Sequence, residues 1–305
     1  MKAVICTKYG TPEVLKIAEV AKPAPKDDEL LIKIMASAVN YGDTRVRKLE
    51  AKEPLRFLMR FVLGFSKPRN PILGAAFSGI VEQTGKNVQG FSIGDEVYGL
   101  TGFRMRTHAE YTTISEKRMV AIKPSNATFE EAAAILLGGH TAIFFLEKAK
   151  IKEIENPKVL IYGATGSVGT AAIQIAKYYH AQVTAVCSAA GQALMAELGV
   201  DDIIFRDKED FTNRHDKFDI IFDTVGKTSK KRCSPLLKDS GSYVTVAEPN
   251  AAAERIEQLT LLRTLFEAGK YKATIDKVYK MEEIVEAHRY VDTGRKKGNV
   301  VINMA

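Results

Sequence analysis

One stretch, Lys158 to Ser188, constrains this chain more than any other, because a strand, a glycine turn, a helix and a second strand follow one another in it. Lys158-Val159-Leu160-Ile161-Tyr162 is short, apolar and ends at a glycine, the pattern of a buried strand. Gly163 to Gly169 is the turn, and from Thr170 to Tyr178 the residues Ala171, Ala172, Ile173, Ile175 and Ala176 suit a helix laid on a sheet. Gln182 to Cys187 supplies the second strand. A strand-helix-strand unit of this length implies a parallel sheet.

The turn has the chemistry of an anion site. The first amides of a helix have no partner inside it, and the helix dipole adds about half a positive charge there, so a pyrophosphate can be held without a cationic side chain. The usual G-x-G-x-x-G is here Ala164-x-Gly166-x-x-Gly169, preceded by Gly163. Gly166 would let backbone approach a phosphate, and Gly169 would let helix and strand pack closely. Glycines alone would describe an ordinary strand-to-helix turn; the four pieces in order point to a dinucleotide.

The end of the second strand bears on which dinucleotide. An acidic residue there commonly holds the ribose 2'-hydroxyl of NAD. This chain has Ser188, followed by Ala189, Ala190 and Gly191, so NADPH is expected over NADH. No Lys or Arg follows Ser188 directly; Arg206 is the nearest basic candidate, with a solvated loop arginine as its alternative reading.

At 305 residues the chain can form two domains with a large core. No apolar run is expected to reach a membrane span, and no secretory leader pattern opens the sequence, so a cytoplasmic protein is expected. Cys6, Cys187 and Cys233 form no metal or disulfide spacing, and the 5 histidines form no H-x-x-x-H pair, which disfavours a metal enzyme. The net charge of +7 is uneven. Between Arg45 and Arg69 stand Arg45, Arg47, Lys48, Lys52, Arg56, Arg60, Lys67 and Arg69 against only Glu50 and Glu53. Residues 44 to 70 also hold Leu55, Phe57, Leu58, Met59, Phe61, Val62, Leu63 and Phe65, read as a helix or loop covering something apolar. A solvated basic face over core and a lid attracting an anionic substrate are the first readings for it; a membrane-surface or nucleic-acid patch comes last, because aromatic stacking residues are not interleaved with the charges, and no nucleic-acid partner is expected.

The rest of the chain falls into place around these features. Residues 1 to 40 read as β, with strands Met1 to Cys6, Leu15 to Val20 and Glu29 to Ala38, closed by a polar turn Asn40-Tyr41-Gly42-Asp43. Strands are expected again within 74–82, 90–99 and 108–114. Ser125 should cap a helix to Leu137, which Gly138-Gly139 interrupt before a second helix to Lys150. Strands at 202–205, 218–223 and 242–247 complete five parallel strands; helices are expected at 192–198, 230–237 and 252–268, then a strand at 273–278, a helix near 282–290 and a strand at 299–303.

With those residues placed, the chain resembles the zinc-independent quinone oxidoreductase branch of the medium-chain dehydrogenase/reductase superfamily over nearly its whole length. The matching pieces are Ser37-Ala38-Val39-Asn40-Tyr41-Gly42-Asp43, the strand from Gly74 to Glu82, Gly94-Asp95-Glu96-Val97-Tyr98-Gly99, Glu130 to Ala134, Gly139-His140-Thr141-Ala142, the glycine turn and Asp223-Thr224-Val225-Gly226. Asn40 stands where the zinc-dependent branch has a catalytic Cys, and Ala75 and Ala76 where it has a His and a Glu, so no metal is expected.

The resemblance implies an α/β fold: a GroES-like β domain (1–123), a Rossmann doubly wound parallel sheet (124–266) and a C-terminal return (267–305), with substrate and nicotinamide in a cleft between the domains. It implies catalytic roles for Asn40, Tyr41 and Thr141. For the cofactor it implies Gly163, Ala164, Thr165, Gly166, Ser167, Val168 and Gly169 at the pyrophosphate, Ser188 and Arg206 at the 2'-phosphate, and Val225, Gly226 and Asn299 at the nicotinamide. Asn40 satisfying turn backbone and Thr141 capping a helix are the alternatives. Relatives usually carry about two dozen further residues after Asn250, a helix and a sixth strand. Here Ala251 to Glu254 follows at once, so that strand is absent or a piece is missing, and the expected homodimer is in doubt with it. The implied activity is metal-free, NADPH-dependent hydride transfer to a quinone or an α,β-unsaturated carbonyl. An enoyl-thioester reductase and an NADPH-sensing binding protein without turnover are the alternatives.

Overall fold

The computed structural model describes residues 1–50, 54–248 and 255–304. The chain divides into two compact units, one of residues 1–136, 255–267 and 275–305, the other of residues 137–254 and 268–274. The sequence suggested limits at 123/124 and 266/267; the units change instead between residues 136 and 137, within a helix, residues 255–267 group with the first unit, and residues 268–274 with the second.

The first unit is a β domain. Its elements are β1 (Lys2–Cys6), β2 (Leu15–Glu19), β3 (Glu29–Val39), α1 (Tyr41–Lys48), α2 (Leu55–Leu63), β4 (Ala76–Thr84), β5 (Glu96–Leu100), β6 (Tyr111–Ser115), β7 (Val120–Ile122) and the start of α3 (Phe129–Lys148). The second unit takes up the rest of α3, then β8 (Lys158–Tyr162), α4 (Ser167–Tyr178), β9 (Gln182–Cys187), α5 (Gln192–Glu197), β10 (Asp202–Phe205), β11 (Phe218–Asp223), α6 (Lys230–Cys233) and β12 (Leu237–Thr245). The chain then returns to the first unit with α7 (Ile256–Glu267), β13 (Ile275–Lys280), α8 (Ile284–Asp292) and β14 (Asn299–Asn303).

β3 is the spine of the first unit. Its 11 residues pair antiparallel with β4, β6 and β14, so the last strand of the chain closes on one of the first. One core lies between this sheet and α8, with Val4, Leu15, Leu73, Ile284, Val291 and Val300; another holds Leu30, Ile32, Phe77, Val81, Val97 and Ile114.

The second unit is the doubly wound sheet. Its strand order is β10-β9-β8-β11-β12, and every pair is parallel. Order reverses between β8 and β11, so the first strand of the unit sits beside the fourth. β12 is an edge, and no sixth strand extends the sheet among the described residues. The suspected gap itself, with Ala251 to Glu254, lies outside the described residues, as do the first positions of the helix expected from 252.

Several expected elements differ. Asn40 to Asp43 is the start of α1, not a closing turn: the Asn40 amide donates to the Asp43 carboxylate at 2.7 Å, which fixes a helix entry. Ser125 is not the cap of α3. The Thr128 amide donates to Glu131 Oε2 at 2.9 Å and the Glu131 amide to Thr128 Oγ1 at 3.2 Å, a complete capping box three residues later. Gly138 and Gly139 do not break α3, whose 20 residues run straight through them. A helical glycine costs only about 1 kcal/mol, less than burial of the surrounding apolar residues returns. That helix also has the length and hydropathy of a membrane span, against the expectation that no run would; 67% of its 18-residue apolar window is buried within the protein. The helix expected at 230–237 is one short turn, α6, and β12 begins already at Leu237.

Candidate functional site

The cofactor candidates of the second unit gather on one edge. In the parallel ladder Tyr162 pairs with Val186 and Asp223, and Phe205 with Cys187, so β8, β9, β10 and β11 end together. The residues that follow those ends are Gly163–Gly169, Ser188, Arg206 and Val225–Gly226. This is the carboxyl edge at the reversal of strand order, where open α/β sheets bind ligands.

Each glycine of the turn answers a different demand. Gly163 has φ +84°, in the left-handed region, and a Cβ there would lie 2.7 Å from Val225 Cγ1. A Cβ on Gly169 would stand 2.4 Å from the Gly163 carbonyl oxygen, so α4 can approach the turn only as glycine. Gly166 is the N-cap of α4, and a Cβ there would meet nothing nearer than 3.6 Å, leaving open space in front of the backbone. The intrahelical ladder begins with the Thr170 amide on Gly166 O at 2.9 Å, so the amides of Ser167, Val168 and Gly169 form the positive end of the helix. A cradle that a side chain would fill, facing three helix-end amides, fits a pyrophosphate.

Two further elements shape this edge. Gly138 of α3 abuts the turn: a Cβ on it would lie 2.4 Å from the Ser167 carbonyl oxygen. Thr141 lies three residues on, along the same face of α3. The loop after β11 is held by Asp223, fully buried, whose Oδ1 accepts the amides of Val225 at 3.1 Å and Gly226 at 2.8 Å, while Oδ2 accepts that of Thr228 at 2.9 Å. Thr224 ties the same loop to β8 through its hydroxyl on Tyr162 O at 2.8 Å. Sequence reasoning quoted Asp223 only as part of a motif. Its signal was an acidic residue directly after the apolar run Ile220-Ile221-Phe222, at the end of the strand.

The end of β9, where the resemblance puts the 2'-phosphate, holds a residue that sequence reasoning missed. The Ala189 amide donates to the carboxylate of Asp207, at 3.0 Å to Oδ1 and 3.2 Å to Oδ2. Arg206 is exposed, its amide bonded to Cys187 O at 2.8 Å. Burial and Asp207 raise the pKa of the Cys187 thiol, and Arg206 lowers it, so both charges stand close to the end of β9.

The remaining candidates belong to the first unit. Val300 of β14 pairs with Val39 of β3, which puts Asn299 and Asn40 side by side at the end of one ladder. Asn40 is 4% exposed, and its side-chain Nδ2 donates to Ala38 O at 3.3 Å. Tyr41, 56% exposed, donates its hydroxyl to Glu50 Oε1 at 3.2 Å. Partial burial and that carboxylate raise its pKa. Asp43 is buried, accepts the Gly74 amide at 3.1 Å as well as that of Asn40, and has its pKa raised by burial against the opposing pull of His108. It holds the backbone around Asn40. No group of three His, Cys, Asp or Glu side chains among the described residues is arranged to hold a metal ion.

A Rossmann sheet with a glycine cradle at its reversal point, carried on one chain with a mixed, mostly antiparallel β unit closed by the C-terminal strand, is the build of a nicotinamide-dependent dehydrogenase or reductase. Residues 26–142 match the family of the alcohol dehydrogenase GroES-like domain, and residues 198–259 and 250–302 that of the zinc-binding dehydrogenases. A 2-methylene-furan-3-one reductase of Solanum lycopersicum is 36% identical, covering 99% of this chain and 79% of its own. An NADPH-dependent alkenal/one oxidoreductase of Arabidopsis thaliana, chloroplastic by name, is 29% identical over the same shares, 99% and 79%. The quinone oxidoreductase of Coxiella burnetii superposes with a TM-score of 0.90 at 27% identity, over 100% of this chain and 99% of that one. The chain belongs to the medium-chain dehydrogenase/reductase superfamily, in its zinc-independent quinone oxidoreductase and enone reductase branch.

Proposed function

We propose that this protein is an NADPH-dependent reductase of quinones or α,β-unsaturated carbonyls. The observation that carries the proposal is the glycine cradle: Gly169 admits no Cβ, Gly166 leaves its front open, and three helix-end amides face that opening. Gly163 to Gly169 would hold the pyrophosphate, Ser188 and Arg206 the adenosine end, and Thr141, Val225, Gly226 and Asn299 the nicotinamide end. When bound, the reduced nicotinamide supplies a hydride.

The chain's own residues orient and protonate. Asn40, held in place by Asp43, donates a hydrogen bond toward the substrate carbonyl, where negative charge grows as the β-carbon gains its new C–H bond. Tyr41 keeps its proton at neutral pH and delivers it to the resulting enolate or quinol oxygen. A cytoplasmic location and a homodimer belong to the same proposal, and cell fractionation and sedimentation velocity check them.

Fluorescence titration of the purified protein with NADPH and NADH is the first test, followed by NADPH oxidation with a panel of quinones, enones and enoyl thioesters. Tight NADPH binding with turnover on quinones or enones is expected. Binding of neither dinucleotide would reduce the turn to a structural joint and remove the proposal. A second reading, NADH as the working cofactor, is favoured by Asp207, whose carboxylate would repel a 2'-phosphate at Ala189. Preference for NADH in the same titration selects it.

A further inference from the structure

The largest departure from an ordinary soluble surface in the first unit is α2 and the residues that follow it. The sequence pattern suggested that its apolar residues cover something. They face outward instead: Phe57, Leu58, Phe61, Val62 and Phe65 are 57%, 59%, 48%, 69% and 55% exposed. Met59 and Leu63, one turn apart, are the partly buried stripe, so the apolar face lies opposite the side by which the helix sits on the protein. The face is contiguous, since the rings of Phe57 and Phe61 meet edge to face at 5.1 Å and those of Phe61 and Phe65 at 5.0 Å. At roughly 200 Å² per large ring, the five side chains leave on the order of 500 Å² of apolar surface in water, near the upper limit for a monomer.

The charges beside this face select its occupant. From Pro54 to Leu73 there are four cations, Arg56, Arg60, Lys67 and Arg69, and no carboxylate. Arg56 and Arg60 lie on one flank of the helix, exposed, between the buried stripe and the apolar face. From Arg45 to Arg69 eight cations stand against Glu50 and Glu53, so a second copy docking here would bring one net positive segment against another. A nucleic acid would leave the aliphatic Leu58 and Val62 unsatisfied. Aromatic and aliphatic side chains on one face, arginines on the flank and a net positive charge over the segment are what an interfacial helix presents to acyl chains and anionic headgroups.

We propose that α2 is a membrane-docking helix: Phe57, Leu58, Phe61, Val62 and Phe65 enter the headgroup boundary of a bilayer, and Arg56, Arg60, Lys67 and Arg69 bind its anionic lipids. The surface does not depend on which dinucleotide or carbonyl compound the protein uses.

Co-sedimentation of the whole protein with vesicles of phosphatidylcholine alone, or of phosphatidylcholine with phosphatidylglycerol, tests it at low and moderate salt. Binding to the anionic vesicles, weakened by salt and low on phosphatidylcholine alone, is expected. Phe57→Ser with Phe61→Ser should lower the partition coefficient at least about tenfold. Arg56→Gln with Arg60→Gln should lower it about 25-fold on anionic vesicles while leaving phosphatidylcholine binding unchanged. Both pairs are at the surface, and an unchanged Tm shows that the fold is kept. Absence of binding to anionic vesicles, or binding that neither pair alters, overturns the proposal. So does a concentration-dependent dimer in sedimentation velocity that Phe57→Ser with Phe61→Ser dissolves, because the face then belongs to a second copy.

Discussion

The carboxylate of Asp207 lies 3.0 Å from the amide nitrogen of Ala189, immediately after Ser188, the position proposed to decide between the two nicotinamide dinucleotides. A 2'-phosphate at Ser188 would have to share that neighbourhood with an acid, and Arg206 offsets only part of its charge. Asp207→Asn keeps a hydrogen-bond acceptor for the amide and removes the charge. It is expected to raise NADPH affinity about tenfold with little change for NADH, while Arg206→Ala lowers NADPH affinity by a similar factor. Fluorescence titration of both variants checks this, and unchanged NADPH affinity in both would dissociate Ser188 and its neighbours from the 2'-phosphate.

Gly166 and Gly169 separate binding from folding. A methyl group at 169 would lie 2.4 Å from Gly163 O, so Gly169→Ala is expected to destabilise the protein by about 1–3 kcal/mol as well as to impair the turn. At 166 the nearest atom would be 3.6 Å away, an ordinary contact, so Gly166→Ala should leave stability within about 0.5 kcal/mol. Yet its methyl enters the space in front of the helix-end amides, and the Kd for NADPH should rise at least about tenfold. Denaturant melts beside titrations distinguish the two; equal dinucleotide affinity in wild type and Gly166→Ala would show that no phosphate lies there.

The parts of this site that the sequence revealed are those where one local rule is enough. β8, β9, β10 and β11 are short apolar runs bounded by polar or glycine residues, and their limits follow from that punctuation. Tertiary forces hid the rest. Gly138 and Gly139 look like a break, but close packing against Ser167 holds α3 continuous. Tyr41-Gly42 is weakly helical, and α1 starts there because buried Asp43 caps Asn40. The apolar content of α2 was visible, whereas the side of it that meets water was not, since composition carries no direction. Asp207 escaped because the search after Ser188 was for a cation in sequence, while the parallel register of β9 and β10 brings an acid from 18 residues away.

Acid should weaken the first unit through two histidines. His108 and His288 are fully buried, with their rings edge to face at 5.6 Å. Burial lowers the pKa of both; Asp43 opposes this at His108, and the nearby His108 and Arg47 reinforce it at His288. A depressed histidine pKa means that the unfolded chain binds protons that the folded one refuses. Their contribution is therefore complete above about 6.5 and is lost as pH falls below it, at up to about 1.4 kcal/mol per pH unit for each group. Asp43, with its raised pKa, acts in the opposite sense: its share is complete below 3.8 and lost as pH rises through its folded value. Urea melts from pH 7.5 to 5 should show stability falling with acid, and His288→Leu should flatten the slope. An unchanged slope in that variant would remove His288 from the account.

The capping box of α3 gives a stability prediction independent of the chemistry. Thr128 and Glu131 satisfy each other's amides, and this helix carries the chain from one unit into the other. Thr128→Ala removes the acceptor for the Glu131 amide and should cost about 1 kcal/mol, whereas Ser125→Ala should cost less for the helix, because Ser125 is not its cap. Equal losses in the two variants would return the helix start to Ser125.

In the proposed reaction Tyr41 delivers the last proton, and its surroundings give that role a test. Its hydroxyl rests on Glu50 at 3.2 Å, and its raised pKa keeps it protonated across the neutral range, so it can give a proton and recover it from solvent through an exposed position. Tyr41→Phe should lower kcat on an enone about 10²-fold, leave the KM for NADPH within about twofold, and slow a quinone far less, because a quinol oxygen picks up its proton readily from water. Glu50→Gln should change kcat only modestly, since it removes the hydroxyl's partner and not the hydroxyl. Equal kcat for wild type and Tyr41→Phe on an enone would hand protonation to solvent, leaving Asn40 as the first unit's proposed contribution to the reacting carbonyl.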